Sequence, residues 1–546
     1  MTSADVKTPA TLTTHPLLGV AGVLLGAMIA TCTGRLMSVG LADIRGALHL
    51  GVDEASWINT SFNASMMFIG PFSVYLGGVL GARRVLLTCA WIFTAVSCLI
   101  PFCHSLGAVI ALLILAGLSA GTFYPLTLSF VLRALPIRYV LLGIAMYATD
   151  IIFTTDMAQA WESFFIDHLS WRWIFWNGTV LTPLMIALVH YGIPRQPLPK
   201  PQPGHPAPNW RGFLYASLGA ALLYMALDQG QRLDWYHSSL IIGLAASGVL
   251  LVLAALIRHF LLPNPLVDYQ FLIRRNTLLL APVLVSFRFV MLAAVVSIPS
   301  FLGSVRGFLP LQEAPVLIWV ALPQFLLGVA AMSLMRKIDP RLILTAGFGV
   351  VGIACLLNSR VTSVWAGPNF GMAQAVMAVG LALAFNSMVG AIVLEVLDTG
   401  ALSRPADVLT FACFFQIVRL FGGELGAVFM GHFIAVREEF HSNMLGLNVQ
   451  IANSATEYRI LGYQHAFASH STGLTAVGRA AEVLGLQVRL QAFTLAISDS
   501  FILLAACCVA CLVAVAFMSR VPTQYRQVTA APSEAKREAH STEGKG

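Results

Sequence analysis

Long apolar runs recur along the chain so regularly that few folds remain open to it. They fall at about 17–41, 56–80, 85–103, 107–132, 139–165, 172–193, 211–229, 238–261, 277–302, 314–335, 341–357, 371–397, 407–434 and 497–519. Each is bounded by charges, prolines or glycines, and about 20 apolar residues suffice to cross the roughly 30 Å of hydrocarbon in a bilayer. A lone strand in lipid would leave its backbone groups unpaired, and the alternating ten-residue pattern of a barrel is missing. The windows therefore predict fourteen transmembrane helices and an all-α polytopic fold. Composition agrees: 58% of the 546 residues are hydrophobic and 10% are charged, against roughly 25% charged in an ordinary soluble domain. A conventional soluble enzyme, a disordered chain and a fibrous protein are excluded on that ground.

An even number of crossings puts both termini on one side, and lysine and arginine mark the cytoplasmic side. With the N-terminus inside, twenty of the 32 Lys and Arg fall in inner segments, nine in outer segments, and three (Arg35, Arg288 and Arg419) inside spans. Both termini are thus expected in the cytoplasm. The net charge of +7 is mostly topology, because no basic run exceeds two residues and none would suit nucleic acid. The chain divides into a cytoplasmic N-terminus (1–16), an N-terminal six-helix bundle (17–193), a proline-rich cytoplasmic linker (194–209), an extra helix pair (210–261), a C-terminal six-helix bundle (277–519) with an outer loop at 435–496, and a disordered cytoplasmic tail (520–546). A reporter active only in the cytoplasm should work when fused after Pro203, and one active only outside should work near Ser471. Finding both sites on one side would remove the fourteen-span topology.

Four stretches carry a resemblance. LSWRWIFWNG (169–178) opens the sixth span, ALDQGQRLDW (226–235) closes the seventh, IPSFLGSVRGFLPLQEAPVLIWVALP (298–323) joins the ninth to the tenth, and IVRLFGGELGAVF (417–429) lies in the thirteenth. Together they resemble the fourteen-helix drug:proton antiporters of the major facilitator superfamily, the EmrB/QacA type. The resemblance implies two six-helix bundles plus two extra central helices. The departures fall on the motifs that family uses for coupling. Thr33 stands at its first-helix aspartate, Gly78 at the aspartate of a gating motif that keeps only GARR (81–84), Leu113 at its fourth-helix arginine, and AQAWES (158–163) replaces its antiporter motif.

Charges inside spans cost about 2.5–3.5 kcal/mol each on insertion scales, so they survive where they face a cavity and a partner. On the first helix Arg35 shares a polar stripe with Thr31 and Ser38. On the second, Asn59 and Asn63 are four apart, with Met66, Met67 and Gly70 on the same face, a combination of amide donors and deformable thioether surface suited to several ligands. Arg288 and Arg419 bring positive charge from the other half. Arg35, Asn59, Asn63, Met67, Arg288 and Arg419 are therefore the candidate substrate-binding residues, with helix–helix packing as the competing role of the asparagines and Arg35, and an architectural role, which the resemblance implies, as that of Arg419. The fifth helix holds Asp150, Asp156 and Glu162, six apart and hence 120° apart, so the three acids point to three faces. With Glu424 they are the candidate proton carriers, Asp156 first, since a carboxyl shielded from water holds its proton more readily; static pairing with Arg35 or Arg288 is the alternative role. Asp228, Arg232 and Asp234 read as a solvated cap on the seventh helix, and Glu395 as a group that reaches water.

These features point to an efflux transporter of the bacterial inner membrane that exports drugs or toxic metabolites by proton-coupled alternating access, with helices 1–6 and 9–14 rocking about a midplane cavity and helices 7 and 8 beside them. No phosphate-binding Gly-x-x-x-x-Gly-Lys run is present, so the proton gradient is the expected energy source, and no cofactor, metal or catalytic residue is expected. Export of an organic anion or a siderophore-like product is the alternative, favoured by Arg35 and Arg288 in the absence of the first-helix aspartate. A non-transporting sensor, a channel or a membrane enzyme are further readings; the short loops argue against the enzyme. The resemblance also implies a periplasmic adaptor of the HlyD/EmrA type and an outer-membrane channel as partners.

Overall fold

The structure is a computed structural model that describes residues 16–134, 137–194, 210–261, 274–398, 405–450, 453–468, 473–520 and 525. The proline-rich linker, but for Pro194 at its edge, the first fifteen residues and most of the C-terminal tail lie outside the described residues. Within them the secondary structure is helical and no strand is found. The helices are α1 (Pro16–Val39), α2 (Leu41–Ala47), α3 (Val52–Leu76), α4 (Ala82–Leu99), α5 (Leu106–Ala120), α6 (Phe123–Ala134), α7 (Ile137–His168), α8 (Trp173–Gly192), α9 (Trp210–Gly230), α10 (Ser239–Leu261), α11 (Arg275–Arg306), α12 (Pro310–Ala321), α13 (Gln324–Met335), α14 (Pro340–Asn358), α15 (Gly367–Asp398), α16 (Pro405–Gly446), α17 (Ser454–Ala468) and α18 (Gly473–Ala516).

Every apolar window coincides with one of these helices or with a broken pair. The fourth window is split into α5 and α6 at Gly121 and Thr122, and the tenth into α12 and α13 at Pro323, whose missing N–H ends a hydrogen-bond ladder. Prolines also sit inside α3, α8 and α11 without ending them, as membrane helices allow when neighbours satisfy the freed carbonyls. Twelve stretches among the described residues are long and apolar enough to cross a membrane; one of them, Val52–Phe102, holds both α3 and α4, and α9 is not among the twelve. Large apolar side chains such as Trp91, Leu250, Phe260 and Leu326 stand exposed on the outside. That is the surface of a multi-pass membrane protein, whose solvent there is lipid.

Local chemistry sets several ends. Asp53 and Glu54 lie in the first turn of α3, where negative charge is favoured, and Glu54 accepts the Gly51 N–H at 2.9 Å. Asp339 caps α14 through the Arg341 N–H at 3.0 Å, with Pro340 at the first helical position. Between α3 and α5 the backbones approach so closely that a Cβ on Gly117 would sit 2.4 Å from the Phe62 carbonyl oxygen. A small residue is required there, the usual device for tight helix pairs in membranes.

Helices α1 and α3 to α8 pack with one another, as do α11 to α16 and α18. The two groups meet where α7 lies against α12, α13 and α15, and where α3 lies against α16. The α9–α10 pair is asymmetric. Its outer member α10 packs chiefly on α9, whereas α9 packs into α3 and α16 at the junction between the groups.

The segment 435–496, read from sequence as a polar outer loop, is mostly helix and continuous with the flanking spans. At 1.5 Å per residue the 42 residues of α16 run about 63 Å and the 44 of α18 about 66 Å, roughly twice the hydrocarbon thickness. Both project beyond the apolar zone and α17 packs against α18 there. Asp499 ties the pair together, accepting from Arg437 and His441, with closest approaches of 2.6 and 2.7 Å. In the segment read as a disordered tail, Tyr525 is buried and its hydroxyl donates to the Gly390 carbonyl at 2.9 Å. Glu395 does not reach water: it is buried and accepts a hydrogen bond from Asn276.

Candidate functional site

A cavity of about 310 Å³ opens among α1, α3, α7, α9, α11 and α16, in the half of the molecule nearer the projecting ends of α16 and α18. All three arginines of the spans line it: Arg35 from α1, Arg288 from α11 and Arg419 from α16. Arg288 and Arg419 are buried and Arg35 is half-buried, so what holds each one matters. The Arg419 guanidinium lies over the Tyr124 ring, 3.9 Å from its centroid, and donates to Thr31 Oγ1 and Gln416 Oε1 at 3.3 Å each. Arg288 Nε donates to the Arg419 carbonyl at 3.3 Å. Arg35 Nε and one terminal nitrogen of Arg419 have no hydrogen-bond partner among the described residues. Arg288 and Arg419 are thus fixed by neutral acceptors and a ring face, while Arg35 has Asp156 and Glu424 as its charged neighbours. Among the described residues no ion pair within 4 Å joins any of the three arginines to a carboxylate. A buried charge without a counter-ion is costly, so the arrangement invites an anion into the cavity.

The amides of Asn59 and Asn63 line the same cavity, and Asn63 Nδ2 donates to Asn59 Oδ1 at 3.0 Å. Met67 does not line it. It is wholly buried with Ala64 against Ala220, Ala221 and Tyr224 of α9, and Met66, one position away, lines the cavity instead. The reason is rotational: adjacent residues are 100° apart, and the docking of α9 claims the face that Met67 occupies.

Of the four candidate proton carriers, only Glu424 is on the cavity wall. The three acids of α7 are buried and point three ways. Asp150 accepts from Thr154 at 3.4 Å and has Arg419 as its cationic neighbour. Asp156 has Arg35 as its cationic neighbour and one oxygen unpartnered among the described residues, while the adjacent Thr155 reaches the cavity. Glu162 sits near the projecting end with Asp43, Asp167 and Glu313 around it. Gln159 donates to Glu313 Oε2 at 3.2 Å, a polar link between α7 and α12.

Helix α9, expected beside the bundles, is a wall of the cavity. Tyr224 and Asp228 lie one turn apart on one face of it, Arg232 follows in the turn after its last residue, and all three line the cavity with Gln229. Tyr224 Oη donates to Glu424 Oε2 at 2.6 Å. Thr60 and Gln229 donate to Asp228, Ser56 donates to Gln229 Oε1 at 3.2 Å, and Arg232 pairs with Asp53. The solvated cap foreseen here holds for Asp234, exposed beside His237 at 3.2 Å, but not for Asp228 and Arg232, which are half-buried against α3. Sequence reasoning also passed over Tyr124, Tyr224 and Glu313. The four-residue stripe on α9 was the available signal for Tyr224.

The Major Facilitator Superfamily profile matches residues 23–427. The chain is 27% identical over 352 residues to the probable multidrug resistance protein EmrY of Escherichia coli strain K12, covering 63% of this chain and 66% of EmrY. It is 25% identical over 459 residues to the multidrug export protein EmrB of Haemophilus influenzae, covering 81% and 86%. It is 23% identical over 320 residues to the fatty acid resistance protein FarB of Neisseria gonorrhoeae, covering 57% and 61%. In fold it is similar to the proton:xylose symporter XylE, with a TM-score of 0.52 at 10% identity over 95% of this chain and 99% of that one. The human organic anion transporter MFSD10 superposes with a TM-score of 0.50 at 13% identity, over 92% and 100%. With the profile covering most of its length and the helical architecture matched end to end, the chain belongs to the major facilitator superfamily.

Proposed function

We propose that this protein is an efflux transporter of a bacterial inner membrane, with both termini cytoplasmic, and that it exports amphipathic organic anions by proton-coupled alternating access. One observation carries the choice of anion: Arg35, Arg288 and Arg419 converge on a single cavity, and among the described residues none of them is within 4 Å of a carboxylate. The two carboxylates that share the wall, Asp228 and Glu424, are engaged by Thr60, Gln229 and Tyr224 instead. Relatives named for multidrug export and fatty acid resistance support export of amphipathic compounds, and the second of these is named for a carboxylate. The proton gradient is the energy source in this reading and no cofactor takes part. The α16–α18 projection offers a surface on which a periplasmic adaptor leading to an outer-membrane channel would dock.

Counterflow in proteoliposomes tests the substrate class. Preloaded vesicles should exchange labelled salicylate and decanoate at least about tenfold faster than salicylamide, since a desolvated charge contact is worth about 2 kcal/mol or more. Exchange of tetraphenylphosphonium but not of the carboxylates would overturn the anion reading and leave a cation exporter.

A further inference from the structure

Glu424 and Arg35 line the same cavity and are neighbours in charge, yet no ion pair within 4 Å joins them. In a site with little water the attraction between a carboxylate and an unpaired guanidinium is strong. Something must hold them apart. The holding contact comes from α9, where Tyr224 Oη donates to Glu424 Oε2 at 2.6 Å. The tyrosine is itself fixed, because its ring is buried with Ala64, Met67, Ala220 and Ala221 and meets Phe421 edge-on at 6.4 Å. Asp228, one turn along α9, also contacts Glu424, so both neighbours that α9 offers the carboxyl draw it to that helix. Of the two, the Tyr224 hydroxyl is the one that donates whatever the charge of the carboxyls.

We propose that Tyr224 is a positioning residue that docks Glu424 on α9 and so keeps Arg35 open for the anionic group of the substrate. The proposal rests on the anion reading above. Without the hydroxyl, Glu424 turns to Arg35 and becomes an internal competitor for the substrate. The charged and titratable groups that line the cavity with Glu424 are Tyr224 and Asp228 from α9, Arg232 from the turn after it, Arg35 from α1, Arg288 from α11 and Arg419 from its own helix; α3 presents the amides Asn59 and Asn63 and the Ser56 hydroxyl. Asp228 also contacts Glu424, and Tyr224 is the one that supplies a hydroxyl donor.

The test is equilibrium binding to the full chain in lipid nanodiscs, with labelled salicylate and decanoate as anionic probes and labelled salicylamide as the neutral one. Tyr224→Phe keeps the ring and its packing. It should weaken carboxylate binding about tenfold, the scale of one hydrogen bond to a charged group, and leave salicylamide binding unchanged. Adding Glu424→Gln removes the competitor, so the double variant should return to within about twofold of the original affinity, the spread expected of uncoupled sites. An unchanged Tyr224→Phe affinity, a loss that persists in the double variant, or an equal loss for salicylamide would each overturn the positioning role. An unsubstituted protein that binds salicylate no better than salicylamide would instead overturn the anion reading itself, and the role of Tyr224 with it.

Discussion

Replacing Arg35 by alanine should lower carboxylate transport by about 30-fold or more, because truncating a desolvated charged contact costs about 2–5 kcal/mol. Arg35 stands in the cavity with Nε unpartnered and no carboxylate within 4 Å, so it is available for the substrate. Arg35→Lys keeps the charge but loses the planar fork, and should fall between the alanine variant and the original protein, at about five- to tenfold. Initial rates of labelled carboxylate uptake into inverted vesicles, normalised to protein level, measure both. If both variants transported acids and cations at the original rates, Arg35 would be a structural partner of Asp156 and Glu424 and nothing more.

The second large effect is expected at Asp156. A carrier must bind and release its proton as the cavity changes sides, and Asp156 is buried midway along α7, with Arg35 as its cationic neighbour and one oxygen unpartnered among the described residues. Asp156→Asn is nearly the same shape and cannot carry a proton. In proteoliposomes it should abolish accumulation driven by an imposed pH gradient while leaving substrate counterflow close to the original rate. A purely structural acid would lose both activities or neither. Asp150→Asn should have the same effect if Asp150 shares the role. Should the single and double variants still accumulate substrate with an unchanged response to the gradient, coupling lies elsewhere, and Glu162 and Glu424 are the remaining carboxyls to test.

The helices were legible because lipid leaves the backbone so few choices, and a window such as 371–397 has to be helical wherever it packs. The 120° divergence of Asp150, Asp156 and Glu162 was legible as well, since it follows from helix geometry alone. What surrounds each acid was not. Arg419 beside Asp150 and Glu313 near Glu162 come from helices more than 150 positions away, and only packing brings them together. Met66 and Met67 show the same limit at finer scale, because the choice between them is made by α9. The stripe Tyr224, Asp228, Arg232 was visible, but its closeness to the end of a span favoured a solvated reading. Hydropathy also placed the start of the last span near 497, where the apolar surface begins. The helix begins 24 residues earlier, at Gly473, because backbone hydrogen bonding does not stop at the membrane boundary.

The arginines of the cavity also bear on how such a carrier responds to voltage. A monovalent anion leaving the cell while a proton enters moves two elementary charges in the same electrical sense. Each charge crossing a 100 mV potential, negative inside, gains about 2.3 kcal/mol, so the potential would contribute about 4.6 kcal/mol per cycle before any difference in pH is counted. For a cation exchanged against one proton that contribution cancels. Under the proposed exchange of an anion for a proton, a cavity lined by Arg35, Arg288 and Arg419 serves an electrogenic carrier, and collapsing the potential with potassium and valinomycin at constant pH should slow export even while the pH gradient stands.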